Sequence, residues 1–307
     1  MNEKRANGSP EGGFRSGFVA VVGRPNVGKS TLVNSLVGRK VSITSPTPQT
    51  TRGPIRGVRD GPGYQVVFVD TPGSQKPRDT LRARMQQRVL DSLSESDAIV
   101  FVLDASQAAD GIGAGDRYIS RLIARSGTPA IVCVNKVDLL RSREEVLPII
   151  AEASRLGDWR EVFPISARSG LNVEPLLQAV IELLPPGPRY FPQGMVTDHP
   201  ESLILAEYVR EKALALLRDE VPHAVAVEVE EVERKESVTV VYATIHIERA
   251  SQRMIVLGKG GKTIKQIGTE ARRDVERLLG TRIYLDLKVT VSPGWRSDRK
   301  FLERLGL

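Results

Sequence analysis

The chain carries one cysteine and three histidines in 307 residues. A lone cysteine excludes a disulfide within the chain. Cys133 lies inside an apolar run and reads as a small core side chain, which suits a reducing cytoplasm. His199, His223 and His246 are scattered and make no metal-ligand cluster. No apolar stretch approaches the ~18 residues that a membrane-spanning helix needs. The first residues, Met1 to Gly17, are polar and glycine-rich and include Glu3 and Glu11. That composition fits neither a signal peptide nor a transit peptide, and residues 1–15 read as a disordered tail. Secreted, disulfide-stapled, zinc-dependent and membrane-spanning classes are therefore set aside.

What is present begins with a buried-strand pattern, Phe18-Val19-Ala20-Val21-Val22. It runs into Gly23-Arg24-Pro25-Asn26-Val27-Gly28-Lys29-Ser30 and a helix-compatible segment from Lys29 to Val37. Strand, GxxxxGK[ST], helix is the context of a phosphate-binding loop. The glycines let successive N–H groups turn inward, and the helix adds its positive N-terminal dipole. Lys29 is expected between the β- and γ-phosphates, and the Ser30 hydroxyl on Mg²⁺. The expected phosphate-side set runs from Gly23 through Thr31.

A second apolar strand, Tyr64 to Val69, ends at Asp70-Thr71-Pro72-Gly73. A carboxylate there can hold a Mg²⁺-bound water opposite Ser30. The Gly73 N–H can approach the γ-phosphate closely, and the contact disappears with that phosphate. Between the two motifs, Ser45 to Arg52 is polar and without apolar period, so it reads as a loop. A threonine hydroxyl in it, Thr50 or Thr51, can close over Mg²⁺.

A third strand, Ala130 to Val134, leads into Asn135-Lys136-Val137-Asp138, and a fourth, Glu161 to Ile165, into Ser166-Ala167-Arg168. Guanine presents N1–H and its N2 amine side by side, and the Asp138 carboxylate can accept both. Adenine offers a lone pair and no amine there, so it leaves that carboxylate unpaired. The Lys136 stem can lie along the base, Asn135 can brace the phosphate loop, and the Ala167 N–H is placed for guanine O6. The four motifs in this order predict binding and hydrolysis of GTP by an α/β P-loop domain, with a mostly parallel sheet and helices on both faces, over residues 16–184.

Pro185-Pro186-Gly187-Pro188 cannot continue a helix, and residues 185–200 read as a linker. The remainder, 201–307, follows the order helix, strand, strand, helix, Gly258-Lys259-Gly260-Gly261, helix, strand. This is the order of an α+β type II KH domain, whose GxxG loop clamps single-stranded nucleic acid. The charge agrees. From Glu248 to Leu307 there are 14 Lys+Arg against 7 Asp+Glu, an excess equal to the +7 of the whole chain. Such a region points to phosphate partners, in nucleic acid or at an anionic membrane. Lys259, Lys262, Lys265 and Arg272 are the expected phosphate contacts. Trp295-Arg296 reads either as packing of the tail or as a base-stacking pair.

Taken together, the chain resembles the Era family of bacterial ribosome-associated GTPases. The resemblance rests on GRPNVGKS, QTTR at 49–52, DTPG, NKVD, SAR, the helix Glu207-Tyr208-Val209-Arg210-Glu211-Lys212, and GKGGKTIKQIG from Gly258. It implies Thr51 as the Mg²⁺ threonine. It also implies binding to the 3′ end of small-subunit rRNA, a role in small-subunit maturation, slow hydrolysis, and some peripheral membrane contact by an otherwise cytoplasmic protein. Nothing in the sequence demands a dimer. Asn26 resembles the asparagine of potassium-assisted GTPases, which makes K⁺ a further expected cofactor. One departure stands out: Ser74-Gln75 follows DTPG where the family has an apolar residue, which leaves the water-orienting group unassigned. The competing reading is a nucleotide-gated module whose basic domain meets a membrane or a protein.

Overall fold

The structure is a computed structural model, described here for residues 13–47, 50–73, 80–108 and 111–307. Of the tail expected over residues 1–15, residues 1–12 lie outside the described residues, as do Pro48, Gln49 and the Ser74-Gln75 departure; the disordered reading fails at its end, where Phe14 and Arg15 bond to Gly187 and Gly63 and Arg15 opens the first strand.

The first half holds β1 (Arg15–Gly23), α1 (Lys29–Val37), β2 (Ile55–Gly61), β3 (Tyr64–Asp70), α2 (Thr80–Glu95), β4 (Ala98–Asp104), α3 (Ala114–Ser126), β5 (Ala130–Asn135), α4 (Val146–Ser154), β6 (Glu161–Pro164) and α5 (Val173–Leu183). The strands form one six-stranded sheet in the order β2-β3-β1-β4-β5-β6, parallel except for β2 at the edge. Central strands of such a sheet are covered on both faces, which is why β1 and β4 are almost unbroken apolar runs. Alternate residues serve opposite faces. Val19, Val21, Val100 and Val102 pack with Leu32, Leu36, Leu176 and Val180 of α1 and α5. Ala20, Val22, Ile99, Phe101 and Leu103 pack with Val89, Ile119, Ile123 and Ile149 of α2, α3 and α4. Cys133 is fully buried, and burial pushes its thiol far up from the usual range.

The second half holds α6 (Glu201–Leu216), α7 (Val221–Ala224), β7 (Ala226–Arg234), β8 (Thr239–Ile247), α8 (Ala250–Leu257), α9 (Lys262–Leu279), β9 (Ile283–Val291) and α10 (Arg299–Arg304). Its sheet runs β7-β8-β9, with β7 antiparallel and β9 parallel to β8. A register shift between Val229 and Glu231 interrupts the pairing of β7 with β8. Val209 and Ala213 of α6, Val256 of α8, and Ile267 and Ala271 of α9 cover the sheet residues Val227, Ala243, Ile245 and Ile247.

Two features join the halves. Segment 185–200 is a strap laid along the first domain rather than a free connection. Gln65, wholly buried, accepts the Tyr190 and Phe191 N–H groups at 2.8 and 3.0 Å and donates to the Phe191 carbonyl at 2.9 Å. The Val58 N–H reaches the Val196 carbonyl at 2.9 Å, and Arg56 pairs with Asp198 at 2.5 Å. The second feature is the C-terminal segment. Trp295, Phe301 and Leu302 share a small core with Leu81 and Met85 of α2.

Candidate functional site

The phosphate loop follows from its glycines. At Gly28 φ is +100°, and a Cβ there would stand 2.3 Å from Asn135 Nδ2. Only glycine lets the loop turn at that point and the base-side strand approach it. Lys29 is buried, and its ammonium donates to the Gly23 and Arg24 carbonyls at 3.1 and 2.9 Å. Burial lowers its pKa to about 8, with Asp70 opposing the shift. Burial likewise raises the Asp70 carboxyl, against the pull of Lys29.

The cation donors are close together. Ser30 Oγ lies 3.0 Å from Thr51 Oγ1, and Thr51 Oγ1 lies 3.2 Å from Asp70 Oδ2. Thr50 instead turns its hydroxyl to the Thr47 carbonyl at 2.6 Å, so of the two threonines Thr51 stands at the cluster. Asp70 Oδ1 is buried with no hydrogen-bond partner among the described residues. Two hydroxyls and a carboxylate with one oxygen left over are hard oxygen donors that suit Mg²⁺. Ser30 and Thr51 would hold it directly and Asp70 through water, and when bound it neutralises charge between the β- and γ-phosphates.

Lys29, Ser30 and Thr51 open onto one cleft of about 710 Å³, with Asp70 wholly buried behind them. It is lined by Pro25, Asn26, Gly28, Lys29, Ser30, Thr31, Thr50, Thr51, Gly73, Lys136 and Arg168, among others. Not every expected residue faces it with a side chain. The Arg24 guanidinium turns away to Asp116, 2.8 Å from its carboxylate. Gly23, Val27, Thr71 and Pro72 are buried, and the Thr71 hydroxyl donates to the Val21 carbonyl at 2.8 Å. Those positions shape the loops from behind.

At the base end, Asn135 Nδ2 donates to the Val27 carbonyl at 2.8 Å, bracing the phosphate loop. Lys136 lies across the cleft, its ammonium 2.6 Å from the Asn26 carbonyl and 2.6 Å from Asp104 Oδ2. Asp138 is exposed in the turn after β5 and makes no hydrogen bond within the described residues. The Ala167 N–H donates to Asn135 Oδ1 at 2.9 Å, which ties the SAR turn to the base-side strand. Ser166 is fully buried and its hydroxyl accepts the Ser169 N–H, which shapes the turn. Asp104, the buried counter-charge of Lys136, was not among the expected residues. Its only signal is its place at the end of the apolar run Ala98–Leu103, level with Asn135 on the next strand.

The second candidate surface begins where α8 meets α9. Gly258, Gly260 and Gly261 all have positive φ, at 73°, 61° and 75°. Lys259, Lys262, Lys265 and Arg272 are exposed, the last three at helical spacing along α9. Met254 and Ile255 of α8 are 69% and 51% exposed beside the loop, an apolar border to a cationic edge.

Trp295 does not belong to that surface. It is 1% exposed, its Nε1 donates to the Ala224 carbonyl at 3.0 Å, and it packs against Phe301. A ring with no free face cannot stack a base, so the packing reading holds. Arg296 is likewise engaged, donating to the His223 carbonyl and lying 3.5 Å from the Glu248 carboxylate.

Fold and cleft together define a P-loop GTPase with a C-terminal KH domain. A family model described as 50S ribosome-binding GTPase matches residues 18–136, and a KH-domain model matches residues 220–296. The GTPase Era of Lacticaseibacillus paracasei is 46% identical over 292 residues, spanning 95% of this chain and 96% of the relative. That of Carboxydothermus hydrogenoformans is 45% identical over 295 residues, 95% of this chain and 98% of the relative. The chain belongs to the Era family of GTPases. A crystal structure of Era in complex with MgGDPNP and nucleotides 1506–1542 of 16S ribosomal RNA matches with a TM-score of 0.92 at 39% identity, covering 95% of this chain and 99% of that one. A variant of Aquifex aeolicus Era bound to GDP·AlF4⁻ matches at a TM-score of 0.91 and 39% identity, with the same coverage. Among the described residues, no helix is long and apolar enough to cross a membrane.

Proposed function

We propose that this chain is a GTP-hydrolysing switch that binds the 3′ region of small-subunit rRNA through its KH domain and acts in maturation of the small ribosomal subunit. The observation that carries the reading is the pairing, in one chain, of the nucleotide cleft with the exposed Gly258–Gly261 loop and its cationic helix edge. The Era complex with 16S ribosomal RNA, alike over 95% of this chain, supports the choice of RNA.

Lys29, Thr51, Asp70 and Gly73 carry the hydrolytic end of the site. Lys29 places a point charge at the phosphates. Thr51 and Asp70 fix the cation side, and Gly73 leaves room for the γ-phosphate. Asp138 selects guanine. On the RNA side, the Gly258–Gly261 loop admits the nucleotide backbone closely, and Lys259, Lys262, Lys265 and Arg272 meet its phosphates. A cytoplasmic monomer with peripheral contact at the inner face of the cell membrane completes the proposal, supported by the basic C-terminal region.

The test is binding of a short RNA copying the 16S 3′ end, against a shuffled control at fixed salt, with a GTP analogue and then with GDP. Preference for the true sequence, strongest with the GTP analogue, is the expected result. Equal, salt-sensitive binding to both RNAs in both states would reduce the basic domain to a generic anion surface and favour the membrane or protein reading.

We also propose K⁺ as a cofactor at Asn26. That residue sits at φ 65° in the phosphate loop, and its side-chain amide donates to the Pro46 carbonyl at 2.6 Å. The side chain thus stands where the Thr51 loop closes on the phosphate loop, a place where an added positive charge would face the phosphates. Turnover is expected to be faster in K⁺ than in Na⁺ at equal ionic strength, and equal rates would rule the cofactor out.

A further inference from the structure

The helix motif Glu207–Lys212 marks the family resemblance, yet neither the nucleotide cleft nor the RNA surface uses it. It lies on α6 against the loop that carries Thr51. Arg210 is 2% exposed and donates through Nη2 to the Thr50 carbonyl. The Glu207 carboxylate accepts its Nε at 2.7 Å, which pairs the buried cation. One residue on, Glu211 Oε1 accepts the Thr44 N–H at 2.9 Å, and its Oε2 lies 2.6 Å from the Lys40 ammonium. Those contacts hold the Glu211 carboxyl below its usual range despite burial, which raises it. At the far end of the loop, Arg52 donates to the Val225 carbonyl at 2.7 Å, and its guanidinium lies 5.3 Å from the Trp295 ring centre.

Contacts from the second domain therefore grip this stretch of the first on both sides of Thr51. Val41 and Ile43 anchor the near end of the stretch in the core, but from Thr44 to Arg52 the sequence is polar with no apolar stripe to bury, so polar contacts position the part that carries Thr51. A charged donor on a carbonyl in a buried seam is among the stronger of these.

We propose that Arg210 and Glu211 are positioning residues for GTP hydrolysis. Acting across the domain boundary, they hold Thr51 against Ser30 and Asp70, so the KH domain sets the competence of the GTPase site. The inference rests on the reading of the chain as a GTPase.

The test uses the full chain as wild type, Arg210→Ala, Arg210→Lys and Glu211→Ala. Single-turnover GTP hydrolysis is followed as Mg²⁺ is varied, beside the affinity for fluorescent GDP. Losing one charge-assisted bond at the loop is expected to slow Arg210→Ala hydrolysis about tenfold or more and to move its Mg²⁺ midpoint upward. Glu211→Ala should shift both in the same direction, and Arg210→Lys should recover part of the rate because an ammonium can still donate to the Thr50 carbonyl. GDP affinity should stay within about twofold, since the Lys29 and Asp138 ends are untouched. Unchanged rate and Mg²⁺ midpoint would overturn the proposal. So would a GDP affinity that falls in step with the rate, the mark of general damage. A wild-type chain that hydrolyses no GTP would count against the GTPase reading instead. The clamp is then decided by whether Arg210→Ala shifts the Mg²⁺ dependence of GTP-analogue binding while leaving that of GDP in place.

Discussion

Replacing Asp138 by asparagine is expected to weaken GTP binding by about a thousandfold, because a buried donor on the ligand is left facing another donor. The carboxylate offers two acceptors to guanine N1–H and its N2 amine. An asparagine amide keeps one acceptor and turns a donor toward the other group. Xanthine carries a carbonyl where guanine has the amine, so the same change should favour xanthosine triphosphate. The fold should not notice. Asp138 is exposed and bonds to no other described residue, and substitutions at such places usually lie within about 0.5 kcal/mol. Titration with fluorescent GTP and xanthosine triphosphate, beside a melting curve, checks each part. An unchanged GTP affinity would mean that the base is read elsewhere.

Gly260→Asp is expected to lower affinity for the 16S 3′-end RNA by about a hundredfold, on the scale of a few lost phosphate contacts, each salt-dependent. Two causes act together. The position has φ 61°, where a side chain is strained, and a new carboxylate would stand between the exposed Lys259 and Lys262 at the point meant for phosphate. Nothing lies within 4 Å of the Cβ position, so no core packing is lost. GTP affinity should therefore be retained. RNA binding that survives at wild-type strength would remove the loop from the interface.

Much of the nucleotide end was legible because it is local. GRPNVGKS, DTPG, NKVD and SAR each sit on one strand end, and strands that run parallel bring their ends to one edge without help from distant residues. The KH order was legible for a similar reason: helical and strand periods alternate cleanly, and three glycines mark the turn between α8 and α9. The strands β2 and β4 went unread, although Ala98–Asp104 is as apolar as β1, because neither runs into a motif at its end. The short α10 was missed as well; six residues carry too little periodic signal. Trp295 had two readings because an aromatic beside an arginine suits either a core or a stack. Its burial against Ala224, Phe301 and, more than two hundred residues away in the chain, Leu81 and Met85 decides between them. Arg210 and Thr50 are likewise 160 residues apart, so their contact belongs to the assembled fold.

The strap has a kinetic meaning. It stays bonded to the first domain as far as His199, whose ring lies 3.1 Å from the Pro54 carbonyl, while α6 begins at Glu201. The tether that remains is therefore almost nothing, and the start of the KH domain is held beside the GTP-binding half. Short tethers give effective concentrations on the order of millimolar or above. At such concentrations the Arg210, Glu211 and Arg52 contacts and the small core around Trp295 re-form readily after any loss, which keeps the halves engaged.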